Sequence, residues 1–80
     1  MKNIVYTRSN CSYCLKAKAW LNQHSYEYEE INIEQPSVQE KFLAMMAPLG
    51  VKTVPQIYMN GDRIGGHDDL MLWARENGIE

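Results

Sequence analysis

The chain has 80 residues, 45% of them hydrophobic, which is apolar volume enough for one small core, and a domain of residues 1–80 leaves no room for a second. A formal net charge of −2 argues against nucleic acid as a partner. No apolar run approaches the ~18 residues of a membrane span, and no basic segment followed by an apolar one opens the chain, so a cytoplasmic protein away from membranes is expected.

Asn3 to Thr7, "NIVYT", is a β-branched and aromatic run that reads as a buried strand. From Ser12 to about Ser25 the period becomes helical, with Ala17, Trp20, Leu21 and His24 on one face. Tyr26 to Ile33 alternates imperfectly and reads as a second strand, parallel to the first across a right-handed crossover. Pro36 suits the first turn of a helix whose inward face is Val38, Phe42, Met45, Met46 and Leu49, ended by Pro48 and Gly50. "PQIYMNGDRIGG" holds two extended runs joined by Asn60-Gly61, the signal of a tight hairpin. "HDDLMLWARENG" closes the chain as a helix with Leu70, Trp73 and Ala74 inward. The order β-α-β-α-β-β-α predicts an α/β fold with a four-stranded mixed sheet flanked by three helices.

The only cysteines, Cys11 and Cys14, open the first helix, and Arg8, Lys16 and Lys18 flank them, while acids gather from Glu27 to Glu34. This charge run is either a solvated face or a positive potential that favours thiolates. With Cys11 at the helix N-cap, its sulfur meets unpaired backbone N–H groups and the positive end of the helix dipole. Cys14, one turn in, faces back toward the core. This asymmetry suits Cys11 as the attacking thiol and Cys14 as the resolving one. Two other readings stand beside it: a structural bridge, disfavoured in a reducing compartment, and a zinc clip, for which a lone CxxC gives two of four ligands and His24 and His67 are not spaced as a pair.

"YTRSNCSYCLKAKAWL", "KTVPQIYMNGDRIGGHDDL" and "WARENG" together resemble glutaredoxin over essentially the whole chain. The resemblance implies a thioredoxin-like fold with a cis peptide bond before Pro55 and the Thr53-Val54-Pro55 loop facing Cys11. It implies a glutathione-dependent thiol–disulfide oxidoreductase acting on disulfide-containing or glutathionylated proteins, among which ribonucleotide reductase is a frequent family client. Val54 would offer its backbone to glutathione as an added strand. Gly65 and Gly66 would allow close backbone approach, and Gly66, His67 and Asp68 would hold the γ-glutamyl end. Arg8, with Tyr13 and Lys41, would meet the carboxylate of the glycine end.

Ser12 departs from the proline usual in dithiol members. Members with serine there include some that bridge two protomers with a [2Fe-2S] cluster, using the first cysteine, here Cys11, and two glutathione thiols. The cluster-bridged dimer is therefore the alternative to an enzymatic monomer without metal. A reductant fed by a flavoenzyme is the third reading, against which the Gly-Gly-x-Asp segment counts.

Overall fold

The computed structural model describes residues 2–79. In chain order it contains β1 (Ile4–Thr7), α1 (Ser12–Gln23), β2 (Glu29–Asn32), α2 (Pro36–Met46), a 3-10 turn (Ala47–Leu49), β3 (Gln56–Met59), β4 (Asp62–Gly65) and α3 (His67–Glu76). The strands lie in the order β2-β1-β3-β4. β1 and β2 are parallel, whereas β3 is antiparallel to both β1 and β4, so the sheet is mixed as the element order predicts.

The side-chain alternation of β1 divides the core. Val5 points into a cluster with Ala17, Leu21, Ile57, Met59 and Leu70, drawn from α1, β3 and α3. Tyr6 points the other way and packs on Ile33, Phe42 and Met46 beside α2. β3 is one of the two interior strands, with three of four residues buried, whereas β2 is an edge, EEIN, with three of four exposed. Charged side chains on that edge discourage pairing with another chain.

Local chemistry sets the boundaries. α1 stops at Gln23, two residues short of expectation, because Ser25 takes a left-handed φ of 61°. His24 is structural, with its Nδ1 2.9 Å from the Trp20 carbonyl oxygen and its ring stacked on Trp20 at 4.1 Å. Tyr26 donates its N–H to the Leu21 carbonyl at 2.9 Å, so β2 begins at Glu29 instead. In α2, Phe42 and Met46 are buried as expected, but Met45 and Leu49 are exposed. Met45 lies ~100° around the helix from Met46, and the switch to a 3-10 turn at Ala47 moves Leu49 out of phase. Asn60 and Gly61 have φ of 56° and 86°, the positive pair that a type I′ hairpin turn requires.

Glu30 ties β2 to the elements that carry the cysteines. Its Oε2 accepts from Lys18 Nζ at 2.9 Å and from the buried Thr7 hydroxyl at 2.8 Å. The Lys18 hydrogen bond, then that of Thr7, holds the Glu30 carboxyl below its ordinary 4.5. A lowered folded-state pKa adds stability that is complete above the unfolded value and disappears as pH falls through the folded one. With the Glu30 side chain 40% exposed, solvent screening limits this to less than about 1 kcal/mol. Glu30→Gln should therefore be slightly less stable than wild type in urea at neutral pH, and the gap should narrow at about pH 3, below the ordinary carboxyl value. A gap of the same size at both pH values would contradict this assignment.

Candidate active site

β1 delivers the chain to the site through Arg8, Ser9 and Asn10, the last at φ 57°, a left-handed value that asparagine tolerates. Cys11 then adopts extended backbone as the N-cap of α1, and its Sγ accepts the Cys14 N–H at 3.1 Å. A sulfur thus fills the role usually given to a serine or aspartate oxygen. Cys11 and Cys14 are joined as a disulfide, with Cα atoms 5.2 Å apart, in the range that suits such a bond. Cys14 is 1% exposed while Cys11 is half-buried, so an incoming partner reaches Cys11 first. Among the described residues no three His, Cys, Asp or Glu side chains are grouped to hold a metal ion, so the structure brings no further protein ligand to the pair.

The loop before β3 faces this sulfur. The Val54–Pro55 peptide bond is cis, and the Val54 carbonyl oxygen lies 3.8 Å from Cys11 Sγ. In the reduced pair, one donor and one acceptor therefore compete at this sulfur. The Cys14 N–H at 3.1 Å favours a thiolate, and the carbonyl at 3.8 Å disfavours it; the shorter contact and the helix end dominate. The flanking cations contribute less than their number suggests. Lys18 is paired with Glu30, Lys16 sits over the Tyr13 ring at 5.1 Å, and Arg8 is close enough to lower the Glu34 carboxyl as a minor cause behind the Ser9 hydroxyl.

Tyr13, Thr53, Val54, Pro55, Gly66, His67 and Asp68 line one open groove of about 380 Å³, together with Asp69. Tyr13 projects from α1, 53% exposed, and its ring meets that of His67 at 5.8 Å across the groove. Arg8 lines an adjoining groove of about 450 Å³ that shares Thr53 and Val54 with the first. Lys41 is in neither. It borders a separate apolar depression with Tyr6, Phe42 and Met45, because it lies ~200° around α2 from Gln39, which does face the Arg8 groove. The second cation beside Arg8 is Lys52, directly before Thr53. Sequence reasoning passed over Lys52 and Gln39, although proximity to the Thr53-Val54-Pro55 loop signalled the former.

Of the two adjacent glycines, only Gly65 is dictated by its surroundings. Its φ is 121°, and a Cβ there would run into the Asp69 carboxylate. That carboxylate accepts the Gly66 N–H at 2.9 Å and so caps α3. At Gly66 a Cβ would meet the Pro55 carbonyl oxygen at 3.7 Å, an ordinary contact. The Asp68 carboxylate is 96% exposed at the groove mouth, with His67 Nδ1 3.3 Å from its Oδ1.

The glutaredoxin family model matches residues 3–64. Glutaredoxin 1 of Rickettsia prowazekii (strain Madrid E) is 38% identical over 77 residues, 96% of this chain and 81% of the relative. Glutaredoxin 1 of Escherichia coli (strain K12) is 32% identical, with 96% of each chain covered. Among solved structures, glutaredoxin 1 from Francisella tularensis, complexed with cacodylate, superposes with a TM-score of 0.80 at 32% identity, covering 95% of this chain and 94% of that one. A buckwheat glutaredoxin–glutathione complex gives a TM-score of 0.82 at 29% identity, covering 94% of this chain and 69% of that one.

Gly50→Ala, where φ is 68° and nothing lies within 4 Å of the added methyl, should cost about 1–2 kcal/mol for the left-handed backbone alone, and Gly65→Ala should cost more, because its methyl also meets the Asp69 carboxylate. Urea denaturation of both variants measures the difference, and equal losses would refute the clash with Asp69. The sulfur at the helix start, the cis-proline loop facing it and these comparisons converge: the chain belongs to the glutaredoxin family of thiol–disulfide oxidoreductases.

Proposed function

We propose that this chain uses glutathione to reduce glutathione mixed disulfides and protein disulfides through Cys11 and Cys14. The observation that carries the reading is a pair of adjoining grooves, one lined by Arg8 and the other by Asp68, that share Thr53 and Val54, with the Cys11 sulfur beside the Val54 carbonyl. An extended tripeptide fits such a pair as an added strand, its cysteine backbone on Val54 and its two carboxylate ends at opposite extremes. The γ-glutamyl end would lie at the start of α3, where backbone N–H groups have no partner within the helix and the dipole favours an anion. The glycine carboxylate would meet Arg8 and Lys52. Lys41 drops out of this set. The buckwheat glutaredoxin of the same fold is itself a glutathione complex, which supports the assignment.

With a glutathionylated substrate, the Cys11 thiolate attacks the glutathione sulfur, the substrate thiolate leaves and takes a proton, and glutathione is held on Cys11. The thiolate of a second glutathione then attacks the held glutathione sulfur, releasing oxidised glutathione and the Cys11 thiolate. With a protein disulfide, Cys11 forms a mixed disulfide with one substrate sulfur, and Cys14 displaces it to give the Cys11–Cys14 bond seen in the structure. Two glutathione molecules reduce that bond. We place this activity in the cytoplasm, in a monomer acting on disulfide-containing or glutathionylated proteins, with ribonucleotide reductase as a candidate client. No helix among the described residues is long and apolar enough to cross a membrane.

A [2Fe-2S] cluster needs four thiolates. This chain offers one accessible cysteine sulfur, Cys11, because Cys14 is 1% exposed, so a cluster would need a second protomer and two glutathiones. No observation favours that dimer over the enzyme.

A coupled assay with glutathione, glutathione reductase and the mixed disulfide of glutathione and 2-mercaptoethanol tests the reading. Cys11→Ser should abolish turnover. Cys14→Ser should keep activity on this substrate while losing most activity on a protein disulfide. Equal loss in both variants on the small substrate would overturn the division of roles.

A further inference from the structure

Gln56, the residue after Pro55, is 1% exposed, although its side chain carries both a donor and an acceptor. Its Nε2 donates to the Thr53 carbonyl oxygen at 3.0 Å, and its Oε1 accepts from Arg63 Nε on β4 at 3.1 Å. The orientation of this amide is unambiguous, because a carbonyl oxygen can only accept and a guanidinium can only donate. The charged donor on Oε1 also polarises the amide and strengthens its own donation to Thr53.

The contact bears on catalysis through peptide geometry. The Thr53 carbonyl oxygen and the Val54 N–H belong to one peptide unit, which is trans; the cis bond is the next one. In a planar trans unit the two groups point in opposite directions. Drawing the Thr53 oxygen toward buried Gln56 therefore turns the Val54 N–H away from Gln56 and toward the groove that Val54 lines.

We infer that Gln56 is a positioning residue for glutathione recognition, held by Arg63, and that it acts by fixing the direction of the Val54 N–H. The inference rests on the proposed pairing of Val54 with the glutathione backbone. It assigns to a strand side chain, outside the groove, control over a backbone donor inside it. A ligand without a peptide backbone gains nothing from that donor, so the effect is selective among disulfides.

Gln56→Glu separates this role from mere packing. The carboxylate keeps the Arg63 contact but places an acceptor against the Thr53 oxygen, where no hydrogen bond is possible. Two substrates are compared: the mixed disulfides of 2-mercaptoethanol with glutathione and with cysteamine. A wild type that shows no preference for the glutathione compound in kcat/KM would overturn the proposed function itself. Given that preference, Gln56→Glu should raise KM for the glutathione compound about five- to tenfold, the effect of one lost hydrogen bond, with kcat nearly unchanged. Turnover of the cysteamine compound should stay within about twofold of wild type. A wild-type KM, or an equal loss on both substrates, would overturn the inference. If Gln56→Glu fails to fold, Arg63→Ala carries the test, since Arg63 is exposed: KM for the glutathione compound should rise about two- to threefold, and an unchanged KM would overturn it.

Discussion

The hydrogen bond from the Cys14 N–H to the Cys11 sulfur, at 3.1 Å, ties the reactive atom to the start of a helix. The same geometry does three things. It satisfies a backbone donor that the helix would otherwise leave open, it sets the sulfur at the positive end of the α1 dipole, and it stacks Cys14 beneath Cys11 at resolving distance. Everything else at the site is arranged around that point. β1 carries the chain to it, the β3 loop brings the Val54 carbonyl to 3.8 Å, and the start of α3 closes the far side of the groove.

The electrostatics reinforce this reliance on the backbone. Two of the cations near the cysteines have something else to face, Glu30 for Lys18 and the Tyr13 ring for Lys16, and Arg8 acts on Glu34 only as a minor cause of its lowered carboxyl. Exposed charges are also screened over a Debye length of about 8 Å at physiological salt. Oriented N–H groups in direct contact are not screened in this way, so activation of Cys11 belongs mainly to the helix end. The cations beside the Thr53-Val54-Pro55 loop, Arg8 and Lys52, are better placed to meet a ligand carboxylate than to lower the pKa of the thiol.

Local pattern carried most of the fold. Asn60-Gly61 marked the hairpin because both residues tolerate positive φ, and the Cys-x-x-Cys spacing marked a helix start because only one turn separates the sulfurs. What pattern could not carry is direction around a helix near its ends, and long-range side-chain bonding. An apolar period alone places Met45 and Leu49 in the core, but Met45 falls on the flank of the buried Phe42–Met46 stripe, and the switch to a 3-10 turn at Ala47 takes Leu49 out of phase. Lys41 was assigned to the glycine end by resemblance, whereas Gln39 and Leu43, four residues apart, form the stripe of α2 that faces the groove. Gln56 escaped notice for a different reason: a polar residue in a strand reads as solvent-facing, and nothing local reveals that Thr53 and Arg63 satisfy both ends of its amide.

The central claim is that the helix start makes Cys11 a thiolate at neutral pH. The rate of alkylation of the reduced protein by iodoacetamide, followed against pH with the modified residue located by mass spectrometry, tests it most directly. The account predicts that Cys11 is modified first, with a midpoint well below the ~8.5 of a free thiol, and that Cys14 stays protected until the protein unfolds. A midpoint near that of a free thiol, or equal modification of both cysteines in the folded protein, would contradict it.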